Sequence, residues 1–472
     1  MANTTASTAP KIQPDPRSRC AGVLLHPTSL PSGKLDESAW LFLDWMQAAH
    51  LTVWQMLPLM EPLDGLSPYQ GVSAFALNPA LLPDHWQNQI DPQALAAFIA
   101  NPPHWLQPYA RFTLLKQLHD GSAWNQWPDV YKFRDPQALA DLDQHYADEL
   151  HAIVSQQFAL IQCWQQLKHA ANTRGIQLFG DMPIFVAYDS VDVWSNPDEF
   201  KLDDNLNPTV VTGVPPDYFS ATGQRWGNPH YHWPHMEANG FYWWRQRMAW
   251  SLELFDLVRI DHFRGLEASW EIAVSEPTAM TGNWVKAPGH ALLSALQATH
   301  DPLPVIAEDL GIITPEVVAL KEAFGLPGMS VLQFGFNGLP DNPHALTEQV
   351  ENSVVYTGTH DNETTLGWWQ ALQDDGQKHW ILSQLDLHVG EMPWPLIDAA
   401  LQSPAYMAIM PLQDFLGLDN QSRMNTPGTI VDNWHWRYQP QQLTEALAQR
   451  IATLVDRCER YPAEQEKQKP HD

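Results

Sequence analysis

Cysteine is scarce in this chain: Cys20, Cys163 and Cys458 are the only three in 472 residues. That odd set, with no metal-site spacing, builds neither a disulfide framework nor a cysteine metal centre, so a reducing compartment is expected, with the cytoplasm as the location. Charge is thin too, at 17%, and basic residues are the scarcest: 26 Lys and Arg stand against 54 Asp and Glu, a formal net charge of −28. Nucleic acids and anionic membranes need a basic face, so neither is an expected partner. No apolar run is long enough to span a bilayer, and the start of the chain has no hydrophobic signal core. Residues 1–19, rich in Thr, Ala, Ser and Pro, read as a disordered tail, as do residues 461–472.

What the chain does have is apolar mass, 44% of it, and 22 tryptophans. Most of these indoles are expected in the core, each needing an acceptor for its N–H; the excess also suits a protein that stacks sugar rings. Eight short runs read as strands: Val23–His26, Thr52–Pro58, Gln177–Pro183, Leu257–Asp261, Pro304–Glu308, Met329–Phe334, Ser353–Tyr356 and Ala408–Leu412. Several lack polar alternation, as strands buried on both faces do. Helical patterns fall between most of them, at Glu37–Ala49, Tyr242–Phe255, His290–Thr299, Pro315–Phe324 and Glu363–Leu372. Strand–helix alternation predicts a parallel sheet, and eight strands predict an α/β fold of the (β/α)8 TIM-barrel type over residues 20–460. Leu25-His26-Pro27-Thr28 is not the glycine-rich turn that a doubly wound sheet would want after its first strand. Two gaps exceed a plain barrel unit. Residues 80–175 read as a mostly helical inserted subdomain, including a long stretch from Pro136 to Asn172, and residues 188–240 as a loop-rich wall over the substrate face.

The chemistry concentrates in three acids, each at or just beyond the end of an apolar run: Asp261, Glu308 and Asp361. Three carboxylates so placed suit a retaining α-glycosidase or transglycosylase, which needs a nucleophile, a general acid/base and a group that grips the sugar as charge develops. Positions two apart on a strand share a face, so Arg259 and Asp261 both point into the barrel. A guanidinium there orients a nucleophile and keeps it ionised, although a buried structural ion pair reads the same way. Glu308 needs the opposite treatment, a raised pKa, and its neighbour Asp309 competes for the role. His360 beside Asp361 can hold vicinal hydroxyls; as a metal site the pair has no supporting ligand pattern, so neither metal nor other cofactor is expected.

Long motifs accompany these acids: Leu24-Leu25-His26-Pro27-Thr28-Ser29-Leu30-Pro31, Ser67-Pro68-Tyr69-Gln70, Gly180-Asp181-Met182-Pro183, Ala307-Glu308-Asp309-Leu310-Gly311, Thr357-Gly358-Thr359-His360-Asp361-Asn362 and Arg423-Met424-Asn425-Thr426-Pro427-Gly428. With them the chain resembles the amylomaltases, 4-α-glucanotransferases of the α-amylase clan, from about Arg19 to Arg437. The resemblance implies a role for each residue. Asp261 is the nucleophile, Glu308 the acid/base and Asp361 the transition-state carboxylate, with His360 beside it. Arg259 positions the nucleophile, Tyr69 stacks on the donor sugar, and Asp181 is a further hydroxyl ligand. Asp217, Gln224 and Trp226 fall in a loop that helps receive the acceptor. It implies maltooligosaccharides and other α-1,4-glucans as donor and acceptor. It does not carry over an oligomeric state. The chain departs from the family in a short segment Ser32–Glu37, in Asp64-Gly65-Leu66 where a tyrosine is common, and in an abbreviated Asn342–Ser353. These departures bear on remote glucan contacts and leave the three acids intact.

Overall fold

The structure, a computed structural model, describes residues 18–63, 65, 67–216 and 220–461. The expected tails, apart from Ser18, Arg19 and Tyr461, lie outside the described residues, as do Asp64, Leu66 and Asp217. Twelve strands are described: β1 (Cys20–Leu24), β2 (Val53–Gln55), β3 (Gln177–Met182), β4 (Val210–Val214), β5 (Gln224–Pro229), β6 (Leu257–Ile260), β7 (Ala268–Ala273), β8 (Asn283–Lys286), β9 (Val305–Ala307), β10 (Gly328–Val331), β11 (Ser353–Tyr356) and β12 (Met407–Pro411).

Eight of them form one parallel sheet in the order β10-β11-β12-β1-β2-β3-β6-β9. The Ala307 N–H donates to the Pro327 carbonyl at 2.9 Å, bringing the two edges together into a nearly closed barrel. Strand periodicity divides the apolar residues between two cores. Leu24, Phe179, Leu257, Ile306, Val354, Tyr356, Met407 and Ile409 cluster inside the barrel. Their neighbours Val23, Leu178, Val258, Val305, Val355, Ala408 and Met410 pack outward, among the residues of the surrounding helices. Both faces are therefore dry, which is why these runs lack polar alternation. Gly180 on β3 is needed for this packing, since a Cβ there would overlap the Phe255 ring.

The expected runs and the strands differ at their ends. The first strand sits earlier than expected because Pro27 opens a 3-10 turn, Pro27–Ser29, after it. The sixth barrel strand stops at Val331 and passes into a 3-10 turn, Leu332–Gly335. The helical stretch from Pro136 is two helices, Pro136–His145 and Ala147–Thr173, broken at Tyr146, which leaves helical backbone angles (φ −120°, ψ 35°). The indoles of Trp54, Trp124 and Trp164 donate to the Leu25, Tyr188 and Leu254 carbonyls at 2.7–2.8 Å, whereas the buried Nε1 atoms of Trp105, Trp243 and Trp244 have no hydrogen-bond partner, contrary to expectation.

A second sheet is not predicted from the sequence. It is antiparallel, in the order β5-β4-β7-β8. β4 and β5 come from residues 188–240, but β7 and β8 come from the segment after β6, so the wall is built from two separate stretches of chain. Among the described residues no helix is long and apolar enough to cross a membrane.

Candidate active site

The barrel pairing sets Asp181 on β3 directly beside Arg259 on β6. Both share the inward parity of Phe179 and Leu257, so their side chains meet inside the barrel. Arg259 donates through one nitrogen to both oxygens of Asp181, at 2.8 and 2.7 Å, and its other terminal nitrogen lies 2.7 Å from Asp261 Oδ1. Burial works against the charge on Arg259, but the carboxylates of Asp181 and Asp261 outweigh it and hold the guanidinium above its ordinary range. The two acids are not equivalent. The Asp181 side chain is 0% exposed, whereas that of Asp261 is 29% exposed, so only Asp261 is open to a substrate. Its backbone N–H donates to the Met182 carbonyl at 3.0 Å, which fixes the carboxylate just past the strand.

Tyr69, in the loop after β2, donates its hydroxyl to Asp181 Oδ2 at 2.7 Å and lies 2.9 Å from His360 Nε2. Burial first, then the nearby Asp181 carboxylate, push that hydroxyl far above its usual range, so it remains a donor. Its ring stacks on His360 with centroids 5.3 Å apart. The neighbouring Asp361 is the most open of the acids, with 46% of its side chain exposed. One of its oxygens accepts from Asn425 Nδ2 at 2.6 Å and sits 3.4 Å from His360 Nε2. Arg423 clamps the same loop, donating to the backbone carbonyls of Asp361 and Asn425 at 2.6 and 2.7 Å.

Glu308 shares the inward parity of Ile306, and Asp309 faces away. There Asp309 takes the Lys321 ammonium and the Met329 N–H at 2.5 and 2.7 Å, a structural position outside the cleft. Glu308 is buried and accepts the N–H groups of His262 and Leu310 at 2.6 and 2.9 Å. Burial pushes its carboxyl up to about 7; Arg259 pulls it down, while the charge of Asp261 raises it. Asp261 and Glu308 thus differ in environment, the first partly exposed and ion-paired with Arg259, the second buried with its proton affinity raised.

His262 joins the acids to the wall. It holds a left-handed backbone (φ 52°, ψ 49°), costly for a residue with a side chain, and its N–H meets Glu308. Its ring meets Trp226 edge-on at 4.9 Å, and Trp226 donates to Gln224 Oε1 at 3.1 Å. Tyr69, Asp181, Gln224, Trp226, Arg259, Asp261, Glu308, His360 and Asp361 therefore form one continuous arrangement. His262, Asn425 and Arg423 join it without having been assigned a role from sequence. Among the described residues no group of three or more His, Cys, Asp or Glu side chains is arranged to hold a metal ion.

The family model for 4-alpha-glucanotransferases, glycoside hydrolase family 77, matches residues 24–86 and 84–444. The chain belongs to this family. It is 42% identical over 492 aligned positions to the 4-alpha-glucanotransferase of Synechocystis sp., covering 93% of this chain and 97% of the relative. Against the 4-alpha-glucanotransferase of Thermus thermophilus it is 42% identical over 495 positions, covering 94% and 99%. Its structure superposes on the amylomaltase of Streptococcus agalactiae, solved in complex with acarbose. The TM-score is 0.89 at 31% identity, over 94% of this chain and all of that one. Family 77 enzymes are retaining transglycosylases, and the barrel observed here is theirs.

Proposed function

We propose that this 4-alpha-glucanotransferase moves a segment of an α-1,4-glucan onto the 4-hydroxyl of a second glucan or of glucose, with Asp261 as nucleophile and Glu308 as acid/base. The observation that carries this reading is the contrast between the two carboxyls around Arg259. Asp261 is ion-paired and open, while Glu308 is buried with its proton affinity raised to about 7.

In the first step an Asp261 oxygen attacks the anomeric carbon, the bond from that carbon to the glycosidic oxygen breaks, and the Glu308 proton passes to the leaving oxygen. Asp361, with His360 alongside, holds hydroxyls of the reacting sugar, and the Tyr69 ring packs beneath it. In the second step the 4-hydroxyl of the acceptor gives its proton to Glu308 and bonds to the anomeric carbon as Asp261 departs. Two inversions leave the α configuration unchanged. Water is a rival acceptor, so transfer requires the wall bearing Gln224 and Trp226 to hold the glucan acceptor in its place. Asp217, in the same wall, is assigned to acceptor binding from the resemblance.

Incubation with maltotriose tests the reading. The wild type is expected to give glucose and a ladder of longer maltooligosaccharides, and Asp261→Asn to lose at least about 10³-fold of that turnover. Only shorter sugars from the wild type would make it a hydrolase, and unchanged turnover by Asp261→Asn would remove Asp261 as the nucleophile.

A further inference from the structure

Two stretches of chain grip Glu308 at once. The turn after β6 gives one carboxyl oxygen the His262 N–H at 2.6 Å, and the segment after β9 gives the other the Leu310 N–H at 2.9 Å. A single side chain joins that turn to that segment. Arg264, two residues beyond His262, donates through Nη1 to the carbonyl of Ile312, two residues beyond Leu310. Arg264 is buried, whereas the Ile312 side chain is 67% exposed and gives the segment no apolar anchor of its own.

The wall sheet bears on the same turn from both of its edge strands. On β5 the Trp226 ring meets the His262 ring, and on β8 the Trp284 ring lies against the Arg264 guanidinium, with Cζ 3.8 Å from its centroid. Trp284 is braced by its cross-strand partner Trp270, their ring centroids 5.3 Å apart, and Trp270 donates to the Ala279 carbonyl at 3.0 Å. Glu267, whose charge Arg264 feels, is itself taken by the Lys286 ammonium. A carbonyl and an indole face are therefore what Arg264 meets at contact distance. Only a planar fork can reach the one while stacking on the other.

We propose that Arg264 is a positioning residue for the acid/base, pinning the segment after β9 so that the Leu310 N–H stays on Glu308. The inference rests on the assignment of Glu308 as that acid/base. The two N–H groups favour its carboxylate form, against the burial that favours the neutral acid. The charges that face Glu308 are those of Arg259 and Asp261, on β6 and just past it. The His262 imidazole in the turn is pushed down to about 4 by burial and is neutral, and Asp309 faces away toward Lys321. Loosening the Leu310 N–H therefore leaves Glu308 more basic and less firmly aimed, with the charges beside it unchanged.

The test compares pH profiles of kcat and kcat/KM for maltotriose between the wild type and Arg264→Lys, which keeps the charge but not the fork. Its kcat is expected to fall about tenfold as the acid loses its alignment. The basic limb of its kcat/KM profile should move up by about 0.5–1 pH unit, because one bond that favours the carboxylate is weakened. Trp284→Ala, at an exposed position, removes only the stacking face and provides the reading should Arg264→Lys fail to fold. It should move the limb the same way by a smaller amount, and Trp284→Phe should bring it back. A limb that stays in place or moves down in the folded variant, even with kcat reduced, overturns the proposal and leaves Arg264 a packing residue. A wild type with no basic limb up to pH 9 overturns the assignment of Glu308 and this proposal with it. A wild-type limb that the variants leave unmoved overturns this proposal alone.

Discussion

Arg259 decides what each acid in the cleft can do. It carries its charge between Asp181, which is sealed in the barrel, and Asp261, which faces the opening, so the exposed acid is held in a fixed orientation. Glu308 lies close enough to feel both charges but is buried, and its carboxyl rises to about 7. The sign of the pH effect follows. The first step needs Glu308 protonated, so kcat/KM for maltotriose should hold below pH 7 and fall above it, approaching tenfold per pH unit. A pH–rate profile checks this, and a basic limb absent up to pH 9 would show that Glu308 is not the acid. The three acids are legible in sequence because each closes an apolar run or sits in the turn just beyond one. His262 is not, since its contribution is a left-handed backbone that aims an N–H, a property that no side-chain pattern announces. Asn425 is hidden for another reason: its bond to Asp361 joins residues 64 positions apart.

At the scale of elements, the eight barrel strands are readable because burial on both faces imposes an unbroken apolar composition, whatever the tertiary partner. The strands of the second sheet escape such reading because their burial is broken; β5 begins exposed and β8 runs exposed for most of its length. Pairing with β4 and β7, rather than local composition, makes them strands. A different device holds the loop that carries His360 and Asp361. Asp414, buried just after β12, accepts from the Thr357 hydroxyl at 2.6 Å and from the Thr365 N–H and hydroxyl, each at 2.7 Å. It thereby ties the end of β11 to the start of the helix Thr365–Ala371, and the loop between them is held at both ends. Asp414→Ala would leave those three donors without their acceptor in a dry site, at a cost of about 2–4 kcal/mol. A lower urea midpoint together with reduced kcat is the expected outcome. A loss of stability at unchanged kcat would show that the loop keeps its shape without Asp414.

For the whole molecule, the net charge of −28 and the catalytic charges must be considered separately. Surface repulsion in an acidic protein is long-ranged and screened by salt, whereas ion pairs in a buried cleft are screened far less. Arg259 meets Asp181 and Asp261 at contact distance inside the barrel, so added salt has little opening through which to disturb them. The glucan is neutral, so there is no attraction between enzyme and substrate for salt to weaken, and no electrostatic steering to lose. Stability and activity should therefore respond differently to ionic strength. Between low salt and about 0.5 M NaCl, kcat/KM for maltotriose is expected to stay within about twofold, while the melting temperature rises as carboxylate repulsion at the surface is screened. Initial rates and thermal melts across one salt series measure both. A steep fall in kcat/KM with salt would mean that exposed charge takes part in binding, against the reading of Tyr69 and Trp226 as contacts to a neutral sugar.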